Sequence, residues 1–203
     1  MTEIRSGWSD NNCGRLHYLT AGQQGQPAVM LLHGASFSAD TWSETGTLVT
    51  LAGEGFHVVA VDLPGYGKSP DAEVQEESWL AETIDRLNLD RPVVVSPSMS
   101  GRLTLPLLAI APERLAAWVA IAPVSIPKYI GALGDCITPV LAVWGEHDDV
   151  VPPELADRLV ERVPSARKVV IPGAGHAPYL DDTTAFHDAL LAFLHKEVLA
   201  VSR

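Results

Sequence analysis

Apolar residues fall in short blocks along this chain, and the blocks alternate between two periods. Continuous apolar runs at 28–32, 56–61, 92–96, 116–122, 139–144 and 167–171 read as strands buried on both faces, and a further strand fits 15–20. Between them, residues 41–53, 74–88, 99–110, 153–162 and 183–198 carry apolar positions three and four apart, the spacing of one helical face. An extra antiparallel strand fits near 2–8. Strand and helix alternating in this way predict an α/β fold: a mostly parallel central sheet with helices on both faces. No charge run, Ser/Gly linker, internal repeat or low-complexity segment divides the pattern, so residues 1–203 are expected to form one domain.

The most informative polar stretch sits at a strand-to-helix junction. Ser96-Pro97-Ser98-Met99-Ser100-Gly101 follows the run Val93-Val94-Val95 and precedes helical spacing from Arg102 onward. A sharp turn there holds its central residue in strained backbone and brings positions −2 and +2 together, so only small residues fit at both. Ser98 satisfies this with Ser96 and Ser100. Ser100 as the centre would place Arg102 at +2, and Ser96 would place Val94 at −2; both are too bulky. A serine so placed reads as the nucleophile of an elbow whose usual form is Gly-x-Ser-x-Gly, and the competing reading is a polar turn with serine as helix cap.

Partners for such a serine occur downstream in the order Asp, then His. The run at 139–144 is followed by Gly145-Glu146-His147-Asp148-Asp149, which places Asp148 three residues past the glycine. Asp149 comes one step later and is expected to be solvated or to cap the helix that begins near Pro153. After the last strand comes Pro172-Gly173-Ala174-Gly175-His176, whose glycines let a loop swing the imidazole back over the sheet. His176 should accept the proton of Ser98 while Asp148 orients the ring. The other histidines read as packing, loop or surface residues, except that His147 beside the acid could support it. Backbone N–H groups of Ala35, after the strand at 28–32, and of Met99 should form the oxyanion hole, with Ser36 as an alternative donor to Ala35.

These pieces resemble the α/β-hydrolase superfamily over nearly the whole chain. Asp62-Leu63-Pro64-Gly65-Tyr66-Gly67-Lys68-Ser69 looks like that family's loop after its fourth strand. The Ser-Pro-Ser-x-Ser-Gly elbow, with Leu31-Leu32-His33-Gly34-Ala35-Ser36-Phe37-Ser38 and Gly173-Ala174-Gly175-His176, is similar to the small abhydrolase-domain-fourteen type. That type is related to a hydrolase which interacts with a transcription initiation factor. The resemblance implies esterase-like or acyl-transfer chemistry on small acyl groups. Gly67-Lys68-Ser69 also ends like a phosphate-binding loop, but Asp62 occupies the place of its first glycine and would repel phosphate.

Charge and composition narrow the picture further. Lys and Arg number 14 against 25 Asp and Glu, a net charge of −11, which leaves no basic patch for nucleic acid. Cys13 and Cys136 are too few for a disulfide framework, and neither has His or Cys at ligand spacing, so no metal and no cofactor is expected. The chain opens without an apolar leader and contains no 18-residue apolar run, which predicts a cytoplasmic protein without a membrane span. Only a short stretch separates the strands ending at Ile121 and starting at Pro139, enough for a turn and one short helix, so no large cap is expected over Ser98. The expected activity is a serine hydrolase acting on a small-molecule acyl substrate through an acyl-enzyme. An acyltransferase using a thiol or amine acceptor, or a binding protein on the same fold, are the alternatives, and a protein partner is not legible.

Overall fold

The computed structural model describes residues 2–11 and 14–200. Eight strands form one sheet in the order β1-β2-β4-β3-β5-β6-β7-β8. Strands β1 (Arg5–Asn11) and β2 (Gly14–Ala21) form an antiparallel pair, and β2 pairs antiparallel with β4 (His57–Val61). The remaining pairs are parallel: β3 (Ala28–Leu31), β4, β5 (Val93–Pro97), β6 (Ala117–Ile121), β7 (Val140–Gly145) and β8 (Ala166–Ile171).

Every residue of β3 to β7 is buried, whereas the edge strand β8 buries only Ile171 fully. Two cores explain this. Met30, Val94, Trp118 and Val140 face one core, built with Leu80 of α3 (Trp79–Arg86), Leu103 and Leu107 of α4 (Gly101–Ile110) and Leu159 of α6 (Glu154–Arg162). Val29, Val95, Val119 and Val143 face the other, with Trp42 of α1 (Asp40–Glu44), Leu48 and Leu51 of α2 (Thr47–Gly53), and Phe186 and Leu190 of α8 (Thr183–Leu194). A strand with a core on each side must be apolar at every position, hence the unbroken runs in the sequence. Each such side chain contributes about 1.5–3 kcal/mol on full burial.

The expected helix over 41–53 is two helices. Gly46 sits at φ +72° between α1 and α2 and breaks the run. The helix expected from 74 starts at Trp79, where full burial begins; in the acidic 73–77 segment only Val74 packs, in part, against the core. The additional strand expected near 2–8 is β1, shifted to Arg5–Asn11. The β6–β7 connection holds α5 (Ile126–Tyr129) and one 3-10 turn, and no cap domain. A last short helix, α7 (Pro178–Asp181), was not expected from the sequence. Among the described residues no helix is long and apolar enough to cross a membrane. Cys136 is buried and unpaired, and burial pushes its thiol pKa up; Cys13 lies outside the described residues.

Candidate active site

The site lies at the carboxyl ends of β5, β7 and β8. Pro97 ends β5 in extended geometry, and Ser98 then turns to φ +48° before a 3-10 turn leads into α4. A β-carbon in the left-handed region is strained, so neighbouring contacts must hold it there. Ser98 carbonyl oxygen accepts from Val124 N–H at 2.9 Å. The flanking serines are fully buried and bonded: Ser96 Oγ accepts from the Trp118 indole N–H at 2.6 Å, and Ser100 Oγ donates to the Pro97 carbonyl at 2.8 Å. Gly101, the residue after the serines, meets the next loop so closely that a β-carbon would lie 2.5 Å from Pro123 Cβ and 2.8 Å from the Val124 carbonyl oxygen.

Three of the residues singled out in the sequence meet here. His176 Nε2 lies 2.9 Å from Ser98 Oγ, and His176 Nδ1 lies 2.9 Å and 3.0 Å from the two carboxylate oxygens of Asp148. The Asp148 side chain is fully buried, and its Oδ1 also accepts from Val150 and Val151 N–H, both at 2.9 Å. These two main-chain donors fix the carboxylate in place opposite the His176 ring. With Nδ1–H donated to Asp148, Nε2 is the proton acceptor facing Ser98. The loops that carry Asp148 and His176 are sewn together: His147 N–H donates to the Ala174 carbonyl at 2.8 Å, and Gly173 N–H donates to Glu146 Oε2 at 2.8 Å. Gly145 packs directly on the Gly175 carbonyl, leaving no room for a side chain. Asp149 is exposed and caps nothing; the His147 ring is likewise exposed, and only its backbone supports the site.

The loop after β3 faces the elbow. A β-carbon on Gly34 would lie 3.7 Å from Ser98 Cβ. Among the described residues neither the Ala35 nor the Met99 amide donates to a protein acceptor. His33 fixes this loop, since its Nδ1–H donates to the Gly34 carbonyl at 2.8 Å and its Nε2 accepts from Leu63 N–H at 2.9 Å. Burial lowers the His33 pKa, consistent with a neutral ring in that tautomer. Tyr66 OH donates to Met99 Sδ at 3.3 Å, and beside it a cavity of about 710 Å³ opens between Tyr66, Asp71, Glu76 and Arg102.

One arrangement escaped the sequence reading. The Asp62 carboxylate, 2% exposed, accepts from Ala39 N–H at 2.7 Å, from Lys68 N–H at 2.9 Å and from His17 Nδ1 at 2.7 Å. Gly67, at φ +54°, lies against that carboxylate, so the segment that imitates a phosphate loop instead wraps a carboxylate of its own. His17 and Asp62 are 45 residues apart, and nothing in their local sequence signals the pairing.

Comparison with known proteins agrees with this architecture. Residues 29–131 match the model of the alpha/beta hydrolase family, and residues 124–183 match that of the alpha/beta hydrolase fold. ABHD14B of Homo sapiens, whose name proposes protein-lysine deacylase activity, is 38% identical over 179 residues, 84% of each chain. ABHD14A of Rattus norvegicus is 41% identical over 172 residues, 82% of this chain and 71% of the relative. The crystal structure of a Thermoplasma acidophilum protein described as a predicted CIB-like hydrolase superposes with a TM-score of 0.90 at 22% identity, over 96% of this chain and 99% of that one. Identity at this level over most of both sequences, on a shared fold, places the chain in the α/β-hydrolase family as a hydrolase of the abhydrolase-domain-14 type.

Proposed function

We propose that this hydrolase cleaves short acyl groups through Ser98, with His176 as general base and Asp148 orienting it. The observation that carries the reading is the unbroken hydrogen-bonded array from Asp148 through His176 to a serine held at positive φ. Ser98 Oγ attacks the acyl carbonyl as its proton passes to His176 Nε2. The Ala35 and Met99 amides hold the developing oxyanion, each worth about 10²–10³ in rate. His176 then protonates the leaving group, and water, activated by the same ring, resolves the acyl-enzyme.

The names of the ABHD14B relatives favour an acyl-lysine side chain as substrate. Acyl-lysine amides suit an uncapped site, because the acyl group enters while the polypeptide stays outside. With no cap over Ser98, each added methylene gains only part of the ~0.8 kcal/mol available on full burial. Specificity constants should therefore level off or fall after the short acyl groups.

The test is fluorophosphonate labelling of the wild-type protein and its Ser98→Ala variant, followed by acetyl, butyryl, octanoyl and palmitoyl donors as aryl esters and as acyl-lysine peptides. Labelling at Ser98, lost in the variant with its turnover, supports the assignment. Labelling that survives Ser98→Ala, or a steep rise in rate through octanoyl, overturns respectively the nucleophile or the short-chain preference. Adding a thiol acceptor distinguishes hydrolysis from acyl transfer, since only the latter is accelerated by it.

A further inference from the structure

A second Ser–His–Asp array lies at the free edge of the sheet, outside the site above. Ser6 on β1 and His17 on β2 occupy one face of the antiparallel pair, with Ser6 Oγ 2.8 Å from His17 Nε2 and His17 Nδ1 2.7 Å from Asp62 Oδ2. Ser6 is exposed, whereas His17 and Asp62 are buried. The electrostatic construction matches that of Asp148. Each carboxylate accepts two main-chain N–H groups, Ala39 and Lys68 in one case, Val150 and Val151 in the other, and each receives a histidine Nδ1–H. A ring whose Nδ1 proton is given to a carboxylate presents the Nε2 lone pair to the serine hydroxyl.

We propose that Ser6 is a second nucleophilic hydroxyl of this protein, acylated by activated acyl esters with His17 as its general base. In the step, Ser6 Oγ bonds to the acyl carbon while its proton moves to His17 Nε2. The tetrahedral centre collapses, the bond to the leaving oxygen breaks, and that oxygen takes the proton from His17. The products are an ester of Ser6 and the free alcohol or phenol. Trp8, on the same face two residues along β1 and edge-on to His17 at a centroid distance of 5.0 Å, offers an apolar surface for a short acyl chain. The Arg15 guanidinium stacks on its ring at 4.1 Å and holds it in place.

Ser6 differs from Ser98 in one respect that sets the rate. It stands in a regular strand ladder, not at a left-handed turn leading into a helix. Base activation therefore acts without the paired amides proposed for Ser98, and donors with good leaving groups such as aryl esters are favoured. The result is a slow self-acylation, one acyl group per chain.

The proposal is independent of the role given to Ser98 and is tested in its absence. The full-length Ser98→Ala protein is incubated with p-nitrophenyl acetate, and acetylated positions are located by peptide fragmentation over a time course. Ser6 is expected to gain acetyl at least about tenfold faster than any other serine, because a positioned general base contributes about 10²–10⁴. Adding His17→Gln should bring Ser6 down to the rate of the other serines, with the fold checked by circular dichroism. Acetylation of Ser6 no faster than the other serines in the folded Ser98→Ala protein overturns the proposal, as does fast acetylation persisting in a folded His17→Gln variant. The first comparison is internal to one folded protein, so it decides the matter even if His17→Gln fails to fold.

Discussion

At the scale of single residues, the serines around the elbow do more than stay small. A glycine at the Ser96 position would leave the Trp118 indole N–H without a partner in the core. Ser96→Ala should therefore cost about 1–3 kcal/mol of stability, the price of an unmet buried donor, while labelling at Ser98 persists. Urea unfolding monitored beside active-site titration separates the two effects. Asp148 is the opposite case, since its contacts are as much electrostatic as structural. Asp148→Asn keeps the side-chain volume but removes the charge and disturbs the His176 tautomer. Turnover should fall steeply, toward the ~10⁴ seen when the equivalent change is made in a serine protease, with the unfolding midpoint moving far less. A midpoint collapse comparable to the activity loss would show that Asp148 chiefly holds the loop together.

Between elements, the decisive feature is how closely α4 approaches the loop after β6. A methyl group on Gly101 would overlap Pro123, so Gly101→Ala must push the helix away from the segment whose Val124 N–H holds the Ser98 carbonyl. Overpacking of this kind typically costs about 1–3 kcal/mol, and the shift should also lower kcat, read by steady-state kinetics with an aryl ester. The parallel strands were legible because an unbroken run such as Val93-Val94-Val95 has few readings besides a strand with a core on each side. The split of 41–53 was not, because Gly46 is compatible with a helix until tertiary packing sets its φ. Ser98, Asp148 and His176 could be singled out from spacing, since each follows a strand at a fixed offset. His17 and Asp62 could not, because their pairing depends on β2 lying beside β4, a topological fact without a local signature.

For the molecule as a whole, the burial of three histidine rings adds a term to the response to acid. His33, His57 and His187 all have pKa values below the ordinary 6.5, chiefly because burial disfavours the charged ring. The unfolded chain then binds more protons than the folded one between those lowered values and about 6.5. The stability these rings contribute is complete above that pH and is lost as pH falls through the window. The urea midpoint should therefore be lower near pH ~5 than near pH ~8; equal midpoints would mean that these rings are as easily protonated folded as unfolded. The sheet also distributes the proposed chemistry unequally. Ser98 hangs from β5, an interior strand buried at every position, while His176 follows β8, an edge strand paired only with β7 and largely open to solvent. Amide protons of β5 should thus exchange on the timescale of global unfolding, and those of β8 much sooner, through local fraying. On warming, His176 would leave Ser98 while most of the sheet is intact, so activity should fade reversibly at temperatures where circular dichroism still reports a folded protein.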